Sequence, residues 1–584
     1  MSAVTNFGAT LTTPNQTMFQ LWAPDCSTVS IELQDGKSFP MLAGPDGFFT
    51  AEVSTGAGTR YRYRISPDLA VPDPASRAQD SDVHGYSIVV DPNYPWQHKN
   101  WLGRPWHEAV IYELHAGAFG GFNGISQQLP RLKALGVTAI ELMPIADFPG
   151  GRNWGYDGVL PYAPDTAYGT PDELKALIDA AHGLGLMVFL DVVYNHFGPD
   201  GNYLNAYAAG FFRDDIHTPW GGAIDFRRAP VRRFFIENAL YWLTDFQFDG
   251  LRFDAVHAIA DDSFLPDMAA EIRTHFPPER HIHLILENEK NDATLLRVLP
   301  EDKKFEAQWT DDWHHCLHVL LTGEHEGYYR DFENPAAQLA RCMAEGFAYQ
   351  GEPSAHADGA PRGTPSRHLP TTAFVICLQN HDQIGNRALG ERLTALAHPQ
   401  ALRAAALLLL MTPQIPMLFM GEETASKTPF LFFTDHNDEL AGAVREGRRK
   451  EFAHFAAFAD PARREKIPDP NAPDTFHASI PEPPEALTPD QTEMLALYEA
   501  ALKLRAEHIT PRLPGARSIS AQPLSNSAIH AAWQMGDGAT LTIACNLGPE
   551  PLKFASTSKP LVTSAPYDPA TLPAFTTTVW LQQA

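Results

Sequence analysis

The 584-residue chain has no apolar run long enough to cross a bilayer. Its most apolar stretch, residues 404–411, is too short and runs into Pro413 and Pro416. The N-terminal MSAVTNFGATLTTPNQT has neither the basic start nor the apolar core of a secretion signal. Cysteine is scarce. The five thiols, Cys26, Cys316, Cys342, Cys377 and Cys545, are scattered, odd in number and free of any CxxC pair. That excludes a disulfide framework and a cysteine-based zinc site, and it predicts a reducing cytoplasm. Basic residues are also few: 44 Lys and Arg stand against 70 Asp and Glu, for a net charge of −26. Such a balance excludes a nucleic-acid partner and an anionic membrane surface. No internal repeat of solenoid period is present, so the chain is not a stacked array.

What is present is a large globular chain, 44% hydrophobic and 20% charged, too long for one ordinary domain. The first hundred residues read as all-β. Segments 19–22, 29–33 and 61–65 are short, alternating or β-branched, and Gly and Pro punctuate them. Apolar runs then alternate with helical segments, the pattern of a parallel sheet under helices. Candidate strands fall at 110–114, 139–144, 187–193, 250–255, 283–287, 305–309, 372–379 and 416–421. Eight is the number that a (β/α)8 barrel of the TIM type requires.

Thr170-Pro171-Asp172-Glu173 is a capping box with Pro at the first helical position, and Gly183 or Gly185 ends that helix. A second helix carries Val231, Phe234, Phe235, Ala239, Trp242, Leu243 and Phe246 on one stripe, a core face. Stretches 351–370 and 465–490 read as loops. From about Ser518 short strands return (528–533, 540–544, 576–581), predicting a small C-terminal β-domain. The expected division is an N-terminal β-sandwich (1–100), a catalytic α/β barrel (101–510) and a C-terminal β-domain (511–584).

Barrel chemistry gathers at the C-terminal ends of the strands. There the sequence places Asp191 to His196, Arg252 to His257, Glu287 to Glu289 and Gln379 to Gln383. A lone Asp or His at such a place is usually a cap, and Asp191 is read as a residue that orients its neighbours. Asn195 is either structural or a metal ligand. Asp254, Glu287 and Asp382 together, with an Arg among them, form a catalytic pattern. Cleaving a glycosidic bond takes two carboxyl groups, one ionised and one an acid of raised pKa. Arg252 beside Asp254 would keep it ionised. A third carboxylate can stabilise the positive charge of the transition state.

In order, DVVYNH (191–196), GLRFDAVH (250–257), the Glu287 segment and QNHDQ (379–383) resemble the four signature regions of the α-amylase family of glycoside hydrolases. The resemblance implies a catalytic barrel and a retaining mechanism, with Asp254 as nucleophile, Glu287 as acid/base and Asp382 as transition-state stabiliser. It also implies that Arg252, His196 and His381 contact the sugar at the cleavage point. Tyr156, in NWGYDG (153–158), matches a stacking tyrosine, and His257 a contact on the leaving-group side.

Further blocks, from VPDPASR (71–77) to QWTDDWHHCLHVLLTGE (308–324) and QNHDQIGNRALGERL (379–393), resemble one branch of that family. That branch hydrolyses the α-1,4 bond next to the terminal trehalose unit of maltooligosyl trehalose, and it needs no metal or organic cofactor. Two departures stand out. The loop 116–124 is shorter than the family carries, and in LENEKND (286–292) Glu289 lies close to Glu287. Asp311, Asp312, His314 and His315 have the look of a metal cluster, but a cleft-lining or structural role is preferred. The rival readings are a glucan branching or debranching enzyme, acting on α-1,6 bonds, and a non-catalytic glucan-binding protein.

Overall fold

The computed structural model describes residues 6–296, 304–482, 487–556 and 558–583. The first five residues of the N-terminal stretch, residues 297–303 of the expected barrel, residues 483–486 of the predicted loop 465–490, and residues 557 and 584 of the expected C-terminal domain lie outside them.

The eight expected strands form a closed barrel: β1 (Ile111–Leu114), β2 (Ala139–Leu142), β3 (Met187–Val192), β4 (Gly250–Phe253), β5 (His283–Leu286), β6 (Ala307–Trp309), β7 (Phe374–Cys377) and β8 (Ile415–Phe419). Every neighbouring pair is parallel, and β8 returns to pair with β1. Each strand is shorter than its apolar run: β2 to β5 stop one or two residues early at the C-terminal end, whereas β1 and β6 start late. Alternation along a strand sends side chains in and out by turns. Ile111, Ala139, Met187, Phe189, Ile285, Ala307, Val375, Ile415 and Met417 fill the barrel floor. Tyr112, Leu114, Ile140, Leu142, Val188 and Leu190 face the surrounding helices. Trp101 and Trp106 pack on the floor cluster, with indole N–H bonds to Asp249 Oδ1 and the Thr372 carbonyl at 2.7 Å each. The two indoles thus plug the barrel floor, and the candidate site residues lie at the opposite, C-terminal mouth.

Helix α1 (Pro171–Gly183) begins as its sequence dictates: Thr170 accepts from the Glu173 amide while Glu173 reaches back to the Thr170 amide. Gly185, at φ 72°, lies just beyond its end. Helix α2 (Ala229–Asp245) buries the predicted aromatic stripe, which is core. Helix α3 (Asp311–Thr322) follows β6 directly. Stretch 351–370 contains one short hairpin, Glu352–Pro353 with Pro361–Arg362, and stretch 465–490 a short helix, Pro473–His477.

Two antiparallel sheets precede the barrel. One contains Gly8–Thr13, Gln16–Trp22 and Phe48–Val53, the other Ser30–Leu33 and Arg60–Ser66. Another follows it, built on Arg517–Ser525, Ala528–Gln534, Thr540–Asn546 and Thr576–Gln582. No helix among the described residues is long and apolar enough to cross a membrane.

Candidate active site

A cavity of about 770 Å³ opens at the C-terminal mouth of the barrel. Asp254, Glu287, Asp382, Tyr156, His196 and His257 all line it. Arg252 and His381 do not: each is buried behind the carboxylates, the side chain 0% and 1% exposed respectively. The alternation that makes the floor apolar also turns Glu113, Asp191, Arg252, Asp254 and Glu287 inward, two or four residues nearer the mouth.

Arg252 is the hub. Its Nη1 donates to Asp254 Oδ1 at 2.8 Å and to Asp191 Oδ2 at 2.8 Å. Its guanidinium lies 4.2 Å from the Trp309 ring centroid. Nη2 has no hydrogen-bond partner among the described residues and stands 4.0 Å from Glu287 Oε2. Asp191 thus orients its neighbours, as its sequence position suggests. Asn195 donates from Nδ2 to Asp254 Oδ2 at 2.9 Å, and its Oδ1 accepts from His196 Nδ1. Of the two roles open to Asn195, these contacts support the structural one. Asp254 has a fixed hydrogen bond on each oxygen, from Arg252 and from Asn195.

Glu287 is in the opposite condition. Burial first, and then the charges of Asp254, Asp311 and Asp382, push its carboxyl well above the usual range despite Arg252. That shift favours its protonated form. The Ala255 amide donates to its Oε2. Glu289, its near neighbour in sequence, has a side chain 65% exposed and pairs with His257 Nε2 at 3.5 Å.

Asp382 lies at the start of the turn after β7. Burial would raise its pKa, but His381, whose Nε2 is 3.4 Å away, holds it below the ordinary carboxylate range. His381 itself is buried, which opposes a charge. Asp382 and Glu113 outweigh that and keep it well above the usual imidazole range. Glu113 accepts from both His381 Nδ1 and its amide. Tyr156 donates from its hydroxyl to Asp191 Oδ2 at 2.6 Å and stacks on His381, ring centroids 5.1 Å apart. His196 stacks on Trp220 at 4.5 Å on the same flank.

The run Asp311 to His315 divides. Asp311 and His315 face the cavity; Asp312 and His314 are buried. Among the described residues no group of three His, Cys, Asp or Glu is placed to hold a metal ion. Sequence reasoning misses Glu113, Trp309, Trp220 and the Ala255 amide. Inward parity on an otherwise apolar strand marks Glu113, but nothing in the sequence marks a backbone N–H.

Comparison with known proteins adds an independent line. A family model described as the α-amylase catalytic domain matches residues 76–211, and one described as a domain of unknown function, DUF3459, matches 516–579. A malto-oligosyltrehalose trehalohydrolase of Deinococcus radiodurans is 43% identical over 84% of this chain and 81% of that protein. One from Saccharolobus solfataricus is 39% identical over 84% and 85%. A crystal structure titled putative alpha amylase, from Salmonella typhimurium, superposes with a TM-score of 0.94 at 43% identity, covering 99% of this chain and 100% of that one. A pullulanase from Anoxybacillus sp. LM18-11, at 19% identity and a TM-score of 0.69 over 99% of this chain and 87% of that one, shares the fold alone.

Proposed function

The chain belongs to the malto-oligosyltrehalose trehalohydrolases, glycoside hydrolases with an α-amylase catalytic domain, and on that premise we propose how its cavity works. The substrate is maltooligosyl trehalose, and the bond cut is the α-1,4 bond next to its terminal trehalose unit. Asp254 attacks the anomeric carbon and forms a β-linked glycosyl-enzyme. Glu287 gives its proton to the departing oxygen, and trehalose leaves. Glu287, now an anion, faces Arg252 Nη2 at 4.0 Å. It takes a proton from water, the hydroxyl adds to the anomeric carbon from the opposite face, and Asp254 is released. Two inversions give retention. Asp382 stabilises the oxocarbenium-like transition state. Tyr156 and His196 flank the ring being cleaved, Arg252 and His381 act from behind it through the carboxylates, and His257 faces the leaving unit.

One observation carries this reading: two carboxyl groups beside one cation stand in contrasting surroundings. Asp254 accepts two hydrogen bonds from fixed donors. Burial and anionic neighbours raise the pKa of Glu287, which favours the acid form. That pairing is what nucleophile and acid require.

The test is to incubate the protein with maltooligosyl trehalose and, separately, with the plain maltooligosaccharide of equal length. Fast release of free trehalose, with slow action on the plain sugar, is expected. Equal cleavage of both, or new α-1,6 bonds, would overturn the reading.

Two smaller readings go with it. All five cysteines are free thiols, which supports a reducing, cytoplasmic setting. We divide the chain near residues 100 and 510, supported by Trp101 and Trp106 sealing the barrel floor and by the change from helix to strand before Arg517.

A further inference from the structure

Four consecutive barrel strands each deliver a carboxylate to the cavity: Asp254 after β4, Glu287 after β5, Asp311 after β6 and Asp382 after β7. The scheme above uses three. Asp312, the next residue, is engaged by the protein. Its Oδ2 accepts from Asn291 Nδ2 at 3.0 Å and from the amides of Ala348 and Tyr349 at 2.8 and 3.2 Å, and its Oδ1 pairs with Arg362 at 2.9 Å. Asp311 is different. Among the described residues no donor hydrogen-bonds its carboxylate, yet it faces the cavity between Glu287 and Asp382. A carboxyl group in a half-buried cleft with no hydrogen-bond donor from the protein is costly unless a ligand supplies one.

The cavity has two flanks. Tyr156, His196 and Trp220, from the segments after β2 and β3, form one. Asp311, His315, Tyr328 and Arg362 form the other, on the side of Glu287, from which the leaving oxygen departs. A trehalose unit differs from a maltose unit in presenting the hydroxyls of its last ring from a 1,1 linkage, so they point in other directions. A site built to accept specific hydroxyls rejects an analogue that cannot supply them.

We propose that Asp311 is a specificity-determining residue that accepts hydrogen bonds from hydroxyls of the leaving trehalose unit. The inference rests on the substrate assigned above. The charged and titratable groups acting on Asp311 are Asp382 from the β7 turn, Arg362 from the hairpin, Asp312 on its own helix and Arg252 on β4; Asp311 in turn acts on Glu287, on Tyr328 and on the thiol of Cys377. Burial first, and then Asp382, brings Asp311 to about 7, so its charge changes near neutrality.

The experiment compares wild type with Asp311→Ala and Asp311→Asn on maltooligosyl trehalose and on the plain maltooligosaccharide. The ratio of the two kcat/KM values should fall about tenfold in Asp311→Ala, carried mainly by KM for the trehalose-terminated substrate. Trehalose should become a weaker product inhibitor by a similar factor. In Asp311→Asn the basic limb of kcat/KM should move to lower pH, because an anion that raises Glu287 is gone. An unchanged ratio with unchanged trehalose inhibition in both variants would overturn the proposal, as would equal losses on both substrates. If wild type itself releases no trehalose, the substrate assignment fails, and this inference with it. If wild type releases trehalose and the variants keep its selectivity, only the inference fails.

Discussion

The backbone amide of Ala255 donates to Glu287 Oε2 at 2.6 Å, so the residue after one cavity carboxylate aims the next. Ala255 does this from the left-handed region, at φ 40° and ψ 47°. A side chain there costs about 1–2 kcal/mol relative to the ordinary helical region. The bend turns the chain out of β4 and brings its amide over the end of β5. Ala255→Gly removes the Cβ and should keep kcat within about threefold, since glycine adopts this conformation freely. Ala255→Val puts a β-branched residue where such residues are rarely found, and the amide must move off Glu287. We expect kcat to fall by about tenfold or more, in line with the 10²-fold losses that 1 Å misplacements cause. Steady-state kinetics on both variants checks this, and equal activity in the two would remove the role given to the amide.

The roles of Asp254, Glu287 and Glu289 separate by leaving group. In the proposed mechanism Asp254→Asn leaves no nucleophile, and turnover should drop by several orders of magnitude on every substrate, with the fold intact by circular dichroism. Glu287→Gln removes only the proton donor, worth about 10²–10⁴-fold. A maltosyl fluoride has a leaving group that needs no proton, so its first-step rate should survive in Glu287→Gln far better than that of the natural substrate. Glu289→Gln should stay within about fivefold of wild type on both, because its side chain is 65% exposed. A loss in Glu289→Gln that vanished with the fluoride would exchange the two assignments.

Much of the fold and of the site is legible in the amino-acid sequence, and the boundary is physical. Barrel strands are apolar runs of β-branched and bulky residues, so β1 to β8 stand out. Their ends are set by where backbone pairing stops, not by where apolarity does. That is why the run 372–379 yields only Phe374–Cys377 as strand. The trio is legible because carboxylates at strand ends are rare without cause. Arg252 and His381 read as sugar contacts, and how deeply their side chains are buried is not legible, since residue type does not reveal depth. Asp311 and Asp312 look alike in sequence. Helical geometry rotates one into the cavity and the next into the core, and the partners of Asp312 come from residues 291, 348, 349 and 362, far away in the chain.

Stability should depend on pH through Glu422, which follows β8. Burial raises its carboxyl from 4.5 to about 7, although Tyr498 donates to Oε1 at 2.8 Å. The folded state thus holds a proton that the unfolded chain releases at lower pH. This contribution is fully present below about 4.5 and is lost as pH rises through about 7. The loss amounts to about 3 kcal/mol at 1.36 kcal/mol per unit. Glu422→Gln should flatten the fall in stability between pH 5 and 8 and melt above wild type at pH 8. Some slope should persist, since Asp165 is likewise raised to about 7 by burial. Urea unfolding across that range decides it; parallel curves for the two proteins would assign the slope elsewhere.

Neighbouring aspartates make the sharpest contrast. Asp312 is fully buried and ties α3 to residues 348 and 349, to Asn291 and to the Glu352–Pro353/Pro361–Arg362 hairpin. Removing one partner of a buried ion pair leaves the other charge uncompensated, at a cost of about 3–5 kcal/mol. Here two amides and an asparagine N–H also lose their acceptor. Asp312→Ala should therefore lower the melting temperature by several degrees. It should also make the hairpin more open to limited proteolysis within 351–363, because Arg362 then loses its ion pair and keeps its bond to the Glu289 carbonyl at 3.0 Å and its stacking on Tyr349. Asp311→Asn touches no protein hydrogen bond and should melt no lower than wild type, and above it at pH 8, where its raised carboxyl would have to ionise. If the two variants melted alike, the division between a substrate-facing and a fold-bearing aspartate would be wrong.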